Sequence, residues 1–251
     1  MKVLDADDWF NTESIPEFLD IISGASADVV LTCHHTINIS TGEIKNWRCF
    51  PDEPGREYTM GNLKNFDRSL TFHGITYRTE FYREHGVKLA ENVFYEDHEY
   101  ATYPCCVAHT ILPLGLFIYE YRIGDVSQSV SAENQLKRID HTKMVIVKML
   151  KNRVDITDQW ALEYCDKKIH LLLLSFMVTS MLCDPDRKKG VARVDQLMGY
   201  IAKKDRHVVE MTMSHYKILK LLNAAHVGLE GYNRMLNSKL YNKLRHNKSF
   251  D

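Results

Sequence analysis

The chain has 251 residues, of which 45% are hydrophobic and 26% charged, enough apolar material for the core of one large or two small domains. Lysine and arginine number 32 and aspartate and glutamate 33, so the formal net charge is -1. This balance excludes the basic excess with which proteins bind nucleic acid, and any anionic ligand must be held locally.

The first half of the chain alternates between short β-like runs and helical stretches. A helix is predicted to begin after Thr12 or Ser14, with Pro16 in its first turn, and to end near Gly24. Loop residues 52–61 include a proline and two glycines. Strands are predicted at residues 27–36, 44–50 and 116–122, and helices at residues 77–85, before Gly86, and 96–109.

The second half of the chain is predicted to be helical throughout, with breaks at residues 184–186 and 203–205. Apolar residues recur at helical spacing in residues 144–150, 160–181, 191–201, 208–222 and 227–236. We therefore expect an α/β fold with a mostly helical C-terminal region. The predicted domains are residues 1–140 and 141–251.

The first eight residues and the longest apolar run bear on localisation. Residues 1–8 hold three acids and no apolar core of a secretory signal, which predicts a cytoplasmic protein. The longest apolar run, residues 169–183, is shorter than the roughly 20 residues that span a bilayer, and it predicts a buried helix. The six cysteines show no C-x-x-C pair and are expected to be reduced.

An acidic motif stands near the start of the chain. If residues 2–4 end a strand, Asp5 and Asp7 project to the same side of it, because strand side chains alternate. Such a pair suits Mg²⁺ or Mn²⁺, which take carboxylate oxygens together with substrate phosphates. A solvated turn is the alternative. A haloacid-dehalogenase motif requires threonine or valine where Trp9 stands, and an EF-hand requires glycine at Phe10.

Four stretches stand in the order in which family 2 glycosyltransferases of the GT-A fold carry their motifs, and residues 1–145 resemble that family. They are LDADDWF (residues 4–10), SLTFHGITYRTEF (69–81), NVFYEDHEY (92–100) and IYEYRIGDVSQSVS (118–131). The resemblance implies Asp5 and Asp7 as ligands of the metal and the nucleotide diphosphate, with Asp8 in support. It implies Asp97 as the catalytic base and Glu96 as a residue that helps to orient either Asp97 or the acceptor.

The resemblance also implies a loop that closes over the sugar nucleotide. Gln128 and Ser129 match this loop, and Arg138 and His141 follow it. Arg138 suits a diphosphate because its guanidinium stays charged and donates in a fork. His141 is a candidate metal ligand or, alternatively, a surface histidine at a helix start.

Three histidines and several tyrosines are further candidates. His73 is expected either to line the acceptor pocket or to be a hydrogen-bonded core residue, whereas His34 and His35 are expected to be structural. Some of the aromatic side chains are candidates for stacking on a sugar, although most are expected in the core. They are Tyr95, Tyr100, Tyr103, Tyr119 and Tyr121.

The sequence departs from the family by showing no nucleotide-binding βαβ unit before residues 4–10. We therefore expect a truncated GT-A sheet, impaired donor binding, and an exposed strand edge that favours an oligomer or an N-terminal partner. Basic clusters at residues 187–189, 203–204 and 239–248 are typical of a solvated face. They alternatively hold the protein on the inner face of a membrane as a peripheral protein.

The function predicted from these observations is inverting transfer of a sugar from a nucleotide-sugar donor, a UDP-sugar, to a glycan or lipid-linked acceptor in bacterial surface polysaccharide synthesis. Two alternatives remain at this point. One is a non-catalytic remnant that keeps the acceptor side, and the other is a helical interaction protein built on residues 141–251.

Overall fold

A computed structural model describes residues 1–48, 50, 53–62, 70–124 and 132–238. Its internal contacts divide the chain into two compact units. The first unit comprises Met1–Gln128 and Met144–Ile169, and the second comprises Ser129–Lys143 and His170–Asp251. The domain boundary predicted at residue 140 stays a prediction.

A five-stranded mixed sheet organises the first unit. Its strands are β1 (Trp9–Phe10), β2 (Val29–Asn38), β3 (Ile44–Trp47), β4 (Ile75–Tyr77) and β5 (Ile111–Ile123). β2 pairs with β5 in parallel along one edge, and with β3 and β4 in antiparallel along the other. β1 adds to the far side of β5 in antiparallel. The first unit is thus α/β in class, and its sheet is mixed. Among the described strands, β2 and β5 form the one parallel pair.

Ten α-helices occur in the described residues. They are α1 (Ile15–Gly24), α2 (Thr79–His85), α3 (Asp97–Tyr100), α4 (Tyr103–Val107), α5 (Ala132–Lys137), α6 (Ile139–Asn152), α7 (Gln159–Val178), α8 (Arg187–Ala202), α9 (Arg206–Ala224) and α10 (Leu229–Leu236). The C-terminal region is therefore mostly helical, as predicted. None of these helices is long and apolar enough to cross a membrane.

The first helix packs on the central strand pair. Phe18 of α1 is buried in an apolar cluster with residues of β2 and β5, among them Val30 and Ile118. Burying such aromatic and aliphatic side chains contributes about 1.5–3 kcal/mol each. This core fixes β5, the strand to which the candidate site is attached.

The predicted start of α1 is confirmed, with Pro16 in its first turn. The turn just before the helix is held by the side chain of Asn11. The Asn11 side-chain oxygen accepts hydrogen bonds from the backbone N–H groups of Glu13, at 3.0 Å, and Ser14, at 3.2 Å. Asparagine is a strong turn and cap former because its short side chain reaches nearby backbone donors. Asn11 therefore closes the turn that leads into α1, whereas the side chain of Ser14, the residue just before the helix, makes no capping hydrogen bond.

The strand predicted at residues 2–4 is wrong. Met1 exchanges backbone hydrogen bonds with Tyr77 of β4, but the pairing stops there and the chain turns at Ala6 and Asp7. The short strand β1 follows this turn. The acidic residues therefore lie in a turn that precedes a strand. The geometry of this turn, and not the alternation of side chains along a strand, brings the carboxylates together.

The single helix predicted at residues 96–109 is also wrong, because it is split into α3 and α4. The break falls at Ala101 and Thr102, where the Thr102 hydroxyl donates to the carbonyl of His98 at 2.6 Å. Pro104 has no backbone N–H and suits only the first turn of a helix. α4 therefore starts afresh around Pro104.

Two helices of the second unit begin at residues whose side chains cap them. Asp186 and Asp205 accept hydrogen bonds from backbone N–H groups at the starts of α8 and α9. α7 continues into one π-helical turn, Thr179–Cys183, before the predicted break at residues 184–186. The five cysteines in the described residues are free thiols, as predicted.

Candidate functional site

The acidic loop, which we define as residues 5–8, brings three carboxylates together. A turn places the backbone N–H of Asp8 3.2 Å from the carbonyl oxygen of Asp5. One carboxylate oxygen from each of Asp5, Asp7 and Asp8 lies within 4.8 Å of the others. Oxygen donors in this arrangement are those that a hard divalent cation takes.

Asp8 fastens the acidic loop to β5. Its two carboxylate oxygens accept hydrogen bonds from the backbone N–H of Arg122, at 2.8 Å, and from the hydroxyl of Tyr119, at 2.6 Å. The Tyr119 oxygen also accepts a hydrogen bond from the backbone N–H of Asp5 at 3.1 Å. Sequence reasoning missed both anchors, since they lie more than 100 positions away from the loop.

The carboxyl group of Asp5 experiences the negative charge of its surroundings. Although the residue is exposed overall, its pKa is raised to about 6, and the largest cause is partial removal of water from its carboxyl. The charges of Asp8, Asp7, Asp97 and Glu96 contribute to the same rise, in that order. Mid-chain Glu96 and Asp97 therefore lie within electrostatic range of Asp5.

The segment before α3 has an uncommon backbone conformation. Tyr95 has a φ of 75° and Asn92 a φ of 59°, both in the left-handed region. Asparagine tolerates this region, but a tyrosine there is an outlier, and such conformations concentrate at functional sites. Tyr95 leads directly into Glu96 and Asp97, so this strained turn sets the direction in which both acids leave the chain.

Asp5, Asp7 and Asp97 make no ion pair with any side chain in the described part of the chain. Burial raises the pKa of Glu96 above its usual value, and the charges of Asp97 and Glu99 contribute in the same direction. Like charges this close repel one another and disfavour their ionised forms. The arrangement is thus short of positive charge, which a bound cation would supply.

A cluster of aromatic rings borders the acidic loop. The ring of His73 lies 4.3 Å from that of Tyr121 and 4.9 Å from those of Tyr119 and His34, measured between centroids. Lys2 reaches this cluster, because its ammonium donates to the carbonyl of His73 at 2.7 Å and lies 5.6 Å from the Tyr119 ring centroid. The cluster forms one wall beside the carboxylates.

The neighbouring histidines His34 and His35 differ in their surroundings. The His35 ring stacks on Phe117, and its Nδ1 lies 3.0 Å from both carboxylate oxygens of Glu120. One of these oxygens, Oε1, also accepts a hydrogen bond from the Asn11 amide at 2.8 Å. His34 is buried, and its Nδ1 has no hydrogen-bond partner in the described structure. His35 is therefore a satisfied structural residue.

The other predicted site residues lie either outside the described residues or in the second unit. Gln128 and Ser129 lie outside the described residues, as does the basic stretch 239–248. Arg138 lies between α5 and α6, and His141 lies in the first turn of α6, so both belong to the second unit. Their predicted roles at the metal or diphosphate stay predictions.

Comparison with models of known protein families gives no match for this chain, and comparison with curated proteins gives no significant match. The features that bear on function are therefore the acidic loop, α3 and the cluster of aromatic rings beside the loop.

Proposed function

We propose that the protein is an inverting glycosyltransferase that uses a nucleotide-sugar donor, and that its first unit is the metal and acceptor side of a GT-A fold. One observation carries the proposal. The acidic loop and the Glu96 and Asp97 pair, about 90 positions apart in the sequence, are close enough for their charges to act on the same carboxyl group. A cation site and a proton acceptor beside it are what this reaction requires.

The donor set of the acidic loop fits Mg²⁺ or Mn²⁺. Asp5 and Asp7 are exposed and offer free carboxylate oxygens, whereas Asp8 is fastened to β5 and keeps the loop in place. These ions accept one or two carboxylates and fill their remaining positions with water and substrate phosphates. When bound, the ion supplies positive charge that stabilises a departing diphosphate.

Asp97 is the proposed general base. The acceptor hydroxyl attacks the anomeric carbon of the donor sugar as the bond from that carbon to the diphosphate oxygen breaks. The proton of the hydroxyl passes to the Asp97 carboxylate, and the bonding electrons of the broken bond leave with the nucleoside diphosphate. One displacement of this kind inverts the anomeric configuration, and Glu96 helps to orient Asp97 or the acceptor.

Glu99, in the same short helix as Asp97, has a structural role. It is buried, and its carboxylate pairs with the Lys148 ammonium at 2.8 Å and accepts from the backbone N–H of Ala90 at 3.2 Å. These contacts fix the position of α3, and with it the position of Asp97 and of the preceding residue Glu96. Rigid placement of this kind favours a single-step reaction.

The proposed acceptor is a glycan or a lipid-linked sugar of bacterial surface polysaccharide synthesis, reached in the cytoplasm or at the inner face of the membrane. The resemblance of residues 4–10 and 92–100 to family 2 glycosyltransferases supports the donor class, which is a UDP-sugar.

The test measures two quantities on the full chain in the presence of Mn²⁺. Calorimetry measures UDP binding, and release of UDP measures turnover of UDP-glucose, UDP-galactose and UDP-N-acetylglucosamine. We expect micromolar UDP binding that disappears on adding EDTA, together with turnover of one donor. Binding without turnover would instead indicate a non-catalytic binding module, and no UDP binding at millimolar concentration would contradict the proposal.

A further inference from the structure

Tyr121 is the aromatic residue of the cluster with the clearest electrostatic link to both acidic groups. It lies near the end of β5 and is partly exposed, whereas Tyr119 two positions earlier is fully buried. Burial raises the pKa of Tyr121, and the charges of Asp8, Asp5, Asp7 and Asp97 add to this effect. The next residue, Arg122, donates its backbone N–H to Asp8 at 2.8 Å, so a ligand held by the acidic loop lies close to Tyr121.

His73 packs against the Tyr121 ring. The two ring centroids are 4.3 Å apart, with an angle of 33° between the ring planes, so the rings are in close, tilted contact. His73 is only 8% exposed, and neither of its ring nitrogens has a hydrogen-bond partner in the described structure. Burial lowers the pKa of His73 to about 3, with the charges of His34 and Lys2 adding to the effect, so the ring stays neutral.

The histidine at position 73 lowers the stability of the folded state. An unpaired buried polar group destabilises a protein, whereas an aliphatic side chain of similar volume fills the same space without that penalty. An aliphatic side chain does not offer a flat face to the Tyr121 ring, however. Side chains that reduce stability at a site are a common sign of a functional requirement.

We propose that Tyr121 contacts the sugar ring of the bound donor or product, and that His73 is a positioning residue that holds the Tyr121 ring towards the acidic loop. This inference rests on the proposed glycosyltransferase function and names a residue that recognises the sugar. A pyranose presents an apolar face of C–H groups, and such a face packs on an aromatic ring. Ligand pockets are commonly lined by aromatic side chains of this kind.

The experiment compares the affinity of UDP with those of UDP-glucose, UDP-galactose and UDP-N-acetylglucosamine, by calorimetry with Mn²⁺. For the wild type we expect at least one UDP-sugar to bind about 3- to 10-fold more tightly than UDP, the size of one aromatic contact. Tyr121→Ala should remove this difference and leave UDP affinity within about twofold, because the acidic loop is intact. Tyr121→Phe keeps the ring and should keep the difference, as should the control Tyr200→Ala in α8.

The supporting role of His73 has its own readout. His73→Leu should raise the melting temperature, because the unpaired nitrogens are gone, and should reduce the preference for UDP-sugar over UDP at least twofold. The matched control His34→Leu should also raise the melting temperature but leave the preference unchanged. A preference that survives His73→Leu in full would overturn the positioning role.

The possible outcomes separate the two proposals. Absence of UDP binding to the wild type would overturn the glycosyltransferase proposal and this inference with it. If UDP binds but no UDP-sugar binds more tightly, or if Tyr121→Ala retains the preference, the inference alone fails.

Discussion

Acidic side chains serve opposite purposes in the acidic loop and in the second unit. In the second unit, Asp184 forms an ion pair with Arg193 at 3.0 Å, and Asp186 and Asp205 cap helices. In the acidic loop of the first unit, Asp5 and Asp7 lie close to other carboxylates, and neither forms an ion pair with a described residue.

This difference identifies which acids are used for folding. A carboxylate that stabilises a fold has its partner in the folded chain, in the form of a cation or a backbone N–H group. Carboxylates that are gathered without partners repel one another and lower stability until a ligand arrives. Asp8 belongs to the first kind although it lies in the acidic loop, because both of its oxygens are hydrogen-bonded to β5.

The largest expected effect of a single substitution is on turnover. Asp97→Asn removes the proposed proton acceptor while keeping the size of the side chain, so we expect turnover to fall about 10²- to 10⁴-fold. UDP affinity with Mn²⁺ should change less than about threefold, since the acidic loop is intact. Equal turnover by Asp97→Asn and by the exposed control Asp20→Asn would contradict the assignment of the base.

A folding acid should behave in the opposite way. Asp184→Ala leaves the largely buried guanidinium of Arg193 without its carboxylate, and we expect the free energy of unfolding to fall by about 3–5 kcal/mol. Denaturant unfolding measures this loss. The exposed pair of Asp195 and Lys220 provides the control, and Lys220→Ala should cost less than about 1 kcal/mol. A large loss in Mn²⁺ affinity for Asp184→Ala would contradict the distinction between the folding acids and the acidic loop.

Asp8 tests whether one acid of the loop has a folding role. Asp8→Ala leaves the backbone N–H of Arg122 and the hydroxyl of Tyr119 without their acceptor, so the free energy of unfolding should fall by about 1–3 kcal/mol. Asp7→Ala removes a repelling charge, and it should leave stability unchanged or slightly higher. If thermal unfolding shows the same loss for both variants, Asp8 is not the anchor of the loop.

The smallest expected effect is the dependence of stability on pH. The pKa of Asp5 is raised from 3.8 to about 6, so the folded state holds this proton more tightly than the unfolded state does. The associated stabilisation is complete below pH 3.8 and is lost as pH rises through about 6. Without a divalent cation, the wild type should lose slightly more stability between pH 4 and 7 than Asp5→Asn does. Identical pH profiles would contradict this assignment.

Local signals in the sequence were enough to predict most elements of the fold. Pro16 marks the start of α1, and Gly86 follows the end of α2 as expected. Pro104 is a further local signal, and it could have predicted the break between α3 and α4. Period-2 alternation misled at residues 2–4, because the path of the acidic loop depends on Tyr119 and on other contacts with β5 that are distant in sequence.

The candidate site was predictable only in part for the same reason. The resemblance pointed to Asp5, Asp7 and Asp97, and the charges of Asp7 and Asp97 both act on the carboxyl of Asp5. The pairing of His73 with Tyr121 follows from the contact between their rings, which are 48 positions apart, and no periodic pattern encodes it. Tertiary contacts of this kind decide which of several tyrosines borders the acids.

Binding of Mn²⁺ tests the central claim most directly, because it requires neither donor nor acceptor. Titration of the full chain, followed by the loss of the free-ion signal in electron paramagnetic resonance at pH 7, gives the affinity and the number of sites. We expect one site, weakened at least tenfold by Asp5→Asn or Asp7→Asn and unchanged by Asp20→Asn. Equal Mn²⁺ affinity in the wild type and in the variant that combines Asp5→Asn with Asp7→Asn would show that the acidic loop is not a cation site.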